Sequence, residues 1–374
     1  MIKYIDRRGS DCYKWDSECV KGALPLWIAD MDFEAAPAIL KALQNRLNHG
    51  VFGYASVPDS YYEAVVSWFG RRHGWTNIRK ECLIPTIGVV PAVAAILRAM
   101  TKPGEKVLMH TPAYNCFFRT LTNAGCELVE SPMRYVNHHY EVDWQDFEAK
   151  IKTVKLLILC NPHNPTGRVW TREELQRMAH LCAQEHVLVI SDEIHCEFTF
   201  PGVSYTPFAT VAENDCYCVC TSPSKAFNIA GLQCANIYCE NDEVAERIRQ
   251  ALDANETGNL NAFAVYSLKA AYNESEDWIV ELMELIYGNW TFVRRFIADN
   301  NLPLILTEME GTYLAWVKLP EGTSSETFCQ RLQDEQHILF NPSTMYGVEG
   351  FVRINLATSP ENVALAMEGM KRMF

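Results

Sequence analysis

Long apolar runs are missing. Nothing in the 374 residues approaches the roughly 20 apolar positions that a membrane helix needs, so a soluble protein is expected. The opening stretch MIKYIDRRGSDCYKWD holds no apolar secretion core, which leads to the expectation of a cytoplasmic protein with reduced thiols. Basic charge is in deficit, with 33 Lys and Arg against 46 Asp and Glu for a net charge of −13. Because the acids are spread along the chain instead of forming a block, neither nucleic acid nor an anionic membrane is expected as a partner; a small molecule is. The 14 cysteines lack paired metal-ligand spacing. Cys216, Cys218 and Cys220 in CYCVC alternate, and in a strand they would share one face as small apolar side chains, so no metal site is expected there. Neither GxxxxGKS/T nor GxGxxG occurs, which removes the phosphate cradles of P-loop and Rossmann sites and leaves a nicotinamide enzyme a remote alternative.

What is present is core material, 48% hydrophobic residues, in a length that suits one large domain or two. Short apolar runs, KVLMH (106–110), KLLILC (155–160), HVLVIS (186–191) and CYCVCT (216–221), alternate with helical patterns. That alternation predicts an α/β fold, a mostly parallel sheet covered by helices. Between the second and third runs, Thr171 and Glu174 make a capping box ahead of apolar residues at helical spacing. PAVAAILRAM (91–100) reads as another helix, with its proline in the first turn. Beyond about residue 255 the pattern changes to a long helix over 274–300, interrupted near Gly288, then two strands about a glycine turn in LPLILTEMEGTYLAWVKL, then helices flanking the strand FVRINLA. This predicts a smaller α+β domain, with the amino-terminal segment packed against it.

Ligands of an open parallel sheet sit beyond the carboxyl ends of its strands. The four runs deliver Tyr114, then Asn161 and Asn164, then Asp192, Glu193 and His195, then Ser222, Ser224 and Lys225. A lysine beside hydroxyls, an acid at a strand end and a stacking tyrosine are what pyridoxal phosphate requires. The amine binds its aldehyde, the acid keeps its pyridine nitrogen protonated, and hydroxyls hold its phosphate. The charge crowding the end of an apolar strand in SDEIH thereby acquires a reason: Asp192 would face a cation.

NPHNPTG, SDEIH and SPSKAFNIAGL, in this order and spacing, resemble the fold-type I pyridoxal-phosphate enzymes of the aminotransferase class I/II superfamily. More narrowly, LPLWIADMDF, GYASVPDSYYEAVVSWFGRRHGW, TIGVVPAV and FVRINLATSP resemble the MalY/PatB group of cystathionine β-lyases and cysteine-S-conjugate lyases, over nearly the whole chain. The resemblance implies a large cofactor-binding domain over 46–285, a small domain from 1–45 and 286–374, and a homodimer with active sites at the interface. It implies that Lys225 carries the cofactor and moves the substrate's Cα proton, that Asp192 partners the pyridine nitrogen, that Asn164 contacts the phenolic oxygen, and that Tyr114 stacks on the ring. Gly88, Val89 and Val90 at a helix start, with Ser222 and Ser224, would hold the phosphate. Tyr54 would reach in from the partner subunit, the competing reading being a surface turn. Arg353 would clamp the substrate carboxylate, with Asn164, Ala29 and Asp30 bordering the substrate. Two departures from the aminotransferases stand out: Gln233 replaces an arginine eight residues after the lysine, and His195 replaces a tyrosine three after the aspartate. A purely structural histidine is the alternative for His195. The function implied is β-elimination from cystathionine or another cysteine thioether; amino transfer to a 2-oxo acid and a regulatory protein that keeps the cofactor are the alternatives.

Overall fold

The computed structural model describes residues 2–374. Seven strands build the main sheet: β1 (Leu83–Thr86), β2 (Lys106–Thr111), β3 (Glu127–Pro132), β4 (Leu156–Cys160), β5 (Leu188–Asp192), β6 (Tyr217–Thr221) and β7 (Ala235–Tyr238). Their spatial order is β1-β7-β6-β5-β4-β2-β3. The four strands read from the sequence form its parallel centre, while β7 runs antiparallel to both of its neighbours. Register then places the site. Cys160 pairs with Asp192 and Asp192 with Cys220, so β4, β5 and β6 end level and release their loops side by side.

Helices cover the sheet for reasons visible in their ends. The crossover Arg172–Gln184 starts at a reciprocal capping box, the Thr171 hydroxyl accepting from the Glu174 N–H (3.1 Å) and the Glu174 carboxylate from the Thr171 N–H (2.9 Å). Such a cap is worth about 1 kcal/mol. Val89–Met100 packs its apolar face (Val93, Ile96) on Val107, Met109 and Ile190 of the sheet and on Ile248 of helix Asp242–Ala254. Cys218 and Cys220 share one face of β6 in this cluster as the alternation predicts, and Cys216, just ahead of the strand, packs against it partly buried. The opposite side belongs to a larger core that includes Trp68, Trp170, Tyr313 and Trp316.

A second, antiparallel sheet holds β8 (Ile305–Leu306), β9 (Leu314–Lys318), β10 (Asn341–Pro342) and β11 (Phe351–Asn355) in the order β8-β9-β11-β10. The amino-terminal segment joins this part of the molecule through a parallel pairing of Leu24–Pro25 with Ile338–Leu339. Two expectations need correction. The helix Glu276–Asp299 runs unbroken through Gly288, whose missing side chain faces open space and so neither relieves a clash nor imposes a kink. Gly311 is not a tight hairpin turn between β8 and β9. Its N–H, like that of Glu310, donates to the Gly167 carbonyl (2.8 and 2.9 Å), and a Cβ there would collide with the Phe198 carbonyl, so glycine is needed for close backbone approach. Among the described residues no helix is long and apolar enough to cross a membrane.

Candidate active site

The loops beyond β4, β5 and β6 enclose a cavity of about 200 Å³ whose wall includes Ala29, Gly88, Val89, Val90, Tyr114, Asn164, Asp192, His195, Ser224 and Lys225. Lys225 sits in the single helical turn Pro223–Ala226, started by Ser222, whose hydroxyl accepts from the Ser224 N–H (3.0 Å). Its Nζ donates to the Ala29 carbonyl. Burial lowers the amine's proton affinity, and the Asp30 carboxylate opposes that effect.

Asp192 closes β5 fully buried, with Oδ1 accepting from the Ile194 N–H (3.1 Å). Burial pushes its carboxyl up to about 7, against the Ile194 N–H and the Lys225 charge. A carboxylate held there lacks a sufficient countercharge, and a protonated ring nitrogen would supply one. His195 lies on the same cavity wall with Nδ1 unpartnered, its ring edge-on to Tyr313 at 5.8 Å. Burial, then Lys225, then Arg353 push it down to about 3, so it is neutral at pH 7. Tyr114 precedes the helix Asn115–Ala124, and burial raises its hydroxyl.

Asn164 and Arg353 meet although 189 positions apart: the guanidinium Nη1 donates to Asn164 Oδ1 (3.1 Å). Nη2 donates to the Trp27 carbonyl (2.8 Å), the plane lies 4.8 Å over Tyr346, and Nε has no partner. Arg353 is therefore buried and held by neutral groups, not spent on a surface ion pair. Gly88, Val89 and Val90 open the helix Val89–Met100 at one end of the cavity, where unpaired N–H groups suit an anion, with the Ser224 hydroxyl beside them. Ser222 stands behind, its hydroxyl donating to the Cys234 carbonyl. Amine, buried carboxyl, aromatic plane and anion-binding helix start fit pyridoxal phosphate.

Not every expected residue arrives in this cavity. Tyr54 is fully exposed and lines a separate groove of about 880 Å³ with Phe52, Asn259 and Phe263. Gln233 is exposed on the surface. Around the cavity, further residues complete the scaffold. Asn355 donates to the carbonyls of Ile28 and Asp30 (2.6 Å each). It lies two residues past Arg353 on the same strand face, an alternation that could have revealed it. On the far side of the SDEIHCE turn, Glu193 accepts from Ser191 Oγ (2.8 Å), the Phe208 N–H (2.9 Å) and the Tyr205 hydroxyl. Glu197 takes Trp68 Nε1 (2.7 Å), Arg72 Nη2 (3.1 Å) and His73 Nε2 (2.6 Å). His73, Cys196 and Glu197 offer ligand atoms within 4.8 Å of one another, but the Arg72 guanidinium already occupies the carboxylate that a metal ion would need.

Comparison with known proteins agrees with this geometry. The model of the family "Aminotransferase class I and II" matches residues 22–369. Cystathionine beta-lyase PatB of Bacillus subtilis (strain 168) is 36% identical, over 99% of this chain and 98% of its own length. Protein MalY of Escherichia coli (strain K12) is 31% identical, over 98% and 97%. The solved structure of the PLP-bound C-S lyase from Staphylococcus hominis matches with a TM-score of 0.93 at 30% identity, covering 99% of this chain and 96% of that one. With similarity along its whole length to PatB and MalY, the chain belongs to the aminotransferase class I and II family.

Proposed function

We propose that this protein is a pyridoxal-phosphate-dependent carbon–sulfur β-lyase that cleaves cystathionine or another cysteine thioether to pyruvate, ammonia and a thiol. The observation that carries the reading is the convergence of Lys225, Asp192, Asn164 and Tyr114 on one cavity in a chain similar to PatB from end to end. Bound there, pyridoxal phosphate supplies the electron sink for the charge left at the substrate Cα. Lys225 holds the cofactor and, once displaced by the substrate amine, takes the Cα proton. Asp192 keeps a proton on the ring nitrogen. Neutral His195 adds no competing positive charge beside it.

Asn164 has its Oδ1 committed to Arg353, which leaves its NH₂ to donate to the cofactor's phenolic oxygen. Arg353 receives the substrate carboxylate, exchanging the Trp27 carbonyl for a bidentate partner. Ala29 and Asp30 border the substrate, and Gly88, Val89, Val90 and Ser224 hold the phosphate, with Ser222, its hydroxyl committed to the Cys234 carbonyl, supporting Ser224 from behind. The cofactor lies in a domain spanning 46–285, completed by a smaller one from 1–45 and 286–374.

The working unit is a homodimer. Phe52 and Tyr54 are exposed apolar side chains that line the separate groove, with Phe52 stacked on Phe263 at 5.6 Å, and Leu47, Val51 and Tyr266 are exposed apolar side chains as well. Such a patch calls for a protein partner, and a second copy would receive Tyr54 in its own site. Mixing inactive Tyr54→Ala and Lys225→Ala subunits is expected to restore activity; no recovery after proven subunit exchange removes Tyr54 from the partner's site. The reaction itself is tested by incubating the enzyme with L-cystathionine without any 2-oxo acid, where pyruvate and ammonia are expected in equal amounts. Absence of pyruvate there, with rapid glutamate formation from alanine and 2-oxoglutarate, would make this an aminotransferase.

A further inference from the structure

The segment Ile28–Phe33 is gripped from two sides. From the main-sheet side, Asn228 accepts from the Met31 N–H (3.0 Å) and donates to the Met31 and Phe33 carbonyls (3.0 and 2.9 Å). From the small-sheet side, the Tyr313 hydroxyl donates to the Ala29 carbonyl (3.0 Å) and Asn355 holds the carbonyls on either side of it. The acceptor on which the Lys225 amine rests is thus fixed. Next to it stands Asp30. Its Oδ2 meets Arg7 Nη1 at 2.9 Å, whereas Oδ1 is buried without a hydrogen-bond partner, 3.7 Å from Lys14 Nζ.

We infer that Asp30 is a positioning residue that sets the proton affinity of the Lys225 nitrogen, with Arg7 moderating its effect; the inference rests on the lyase reading. Asp30, Asp192 and Cys116 favour a charged Lys225, Arg353 opposes it, and His195 also faces the amine. Once a ring nitrogen claims Asp192, Asp30 is the carboxylate left to the amine. Asp30 is itself faced by Arg7 and Lys14 from the amino-terminal segment, by Asp32 in its own loop and by Tyr313 from the small-sheet side. Lys14 is bound more closely to Asp32 (2.9 Å) than to Asp30, so Arg7 is the cation that most directly weakens the field of Asp30.

This matters because Lys225 must lose a proton to act as base and regain one to return it, so its proton affinity divides the reaction between its two halves. Removing the Asp30 charge lowers that affinity; removing the Arg7 charge raises it. Both changes break the same ion pair, so a merely structural role moves the two variants in one direction, and an electrostatic role moves them in opposite directions.

The test uses holoenzyme. The pH midpoint of the cofactor's visible absorbance, read without substrate, reports the proton on the Lys225 nitrogen, and the acidic limb of kcat with L-cystathionine reports the same nitrogen during turnover. Asp30→Asn is expected to move both to lower pH by about one unit, the size typical of a neighbouring opposite charge. Arg7→Gln is expected to move both to higher pH by less, and Asp30→Glu to return them to the wild-type values. Midpoints that stay in place in Asp30→Asn, or that move the same way in Asp30→Asn and Arg7→Gln, overturn the inference. Wild-type enzyme that binds pyridoxal phosphate yet releases no pyruvate overturns the lyase reading instead, and the absorbance titration still decides the role of Asp30.

Discussion

The two faces of the turn Asp192–Glu197 carry similar residue types in opposite circumstances. Toward the cavity, Asp192 has a single N–H on its carboxylate and His195 an unpartnered Nδ1. Toward the scaffold, Glu193 and Glu197 each take three donors. Burying a polar group without its partners is costly, so an unpartnered buried group on a cavity wall is suited to a ligand that would complete it. At this turn the side with unfinished hydrogen bonding lines the cavity, and the side with finished hydrogen bonding packs into the scaffold.

The largest break comes from the amine. Lys225→Ala is expected to lose nearly all turnover together with the visible absorbance of the bound cofactor; a variant with full activity would place the chemistry elsewhere. Next, Asp192→Asn and Glu193→Gln set the two faces against each other through adjacent residues. A neutral amide cannot hold a proton on the ring nitrogen, so Asp192→Asn should bind cofactor but lower kcat by at least about a hundredfold, comparable to losing one strong electrostatic stabiliser. Glu193→Gln, which alters only internal partners, should lower stability by about 1–3 kcal/mol and keep kcat per folded molecule within about tenfold, or 1.4 kcal/mol of barrier. Equal losses of kcat in the two variants would erase the distinction.

The smallest effect distinguishes the two scaffold carboxylates by pH. Burial works against ionised Glu197, but His73, Arg72 and Trp68 outweigh it and its folded pKa is lowered. Its stabilisation is present above the unfolded carboxylate value of about 4.3 and is lost as pH falls through the folded value. Glu193 has the opposite sign: burial raises it to about 7, so stability present below the unfolded value is lost as pH rises through about 7. Thermal unfolding across pH should therefore show Glu197→Gln flattening the acidic decline and Glu193→Gln flattening the decline toward neutrality. If both substitutions flatten the same limb, the assignment of partners to the two carboxylates is wrong.

Much of the cavity wall was legible in the sequence because it is local. Lys225, Asp192, Asn164 and Tyr114 each follow an apolar run, and the rule that ligands lie beyond parallel strand ends gathers them without any knowledge of packing. Of the scaffold face, Glu193 was legible beside Asp192, but the distant partners of Glu197 were not. Trp68 and His73 reach Glu197 across 129 and 124 positions, and the clamp on Ala29 comes from Tyr313, 284 positions away. No local spacing announces such pairs. Strand β1 escaped notice as LIPT, four residues with a proline, which a strand tolerates at the sheet edge where it lies. Tyr54, expected in a partner's site, is left bare by its neighbours in the single chain and stands beside a groove separate from this cavity.

The claim that the unfinished side of this turn is a pyridoxal-phosphate site is tested most directly by covalent mapping. Holoenzyme is reduced with borohydride, digested, and the peptide carrying the pyridoxyl mass identified. The label is expected on Lys225 in SPSKAFNIAGL, at one per subunit. A label on another lysine, such as the buried Lys14 beside Asp32, with Lys225 unmodified, would contradict it.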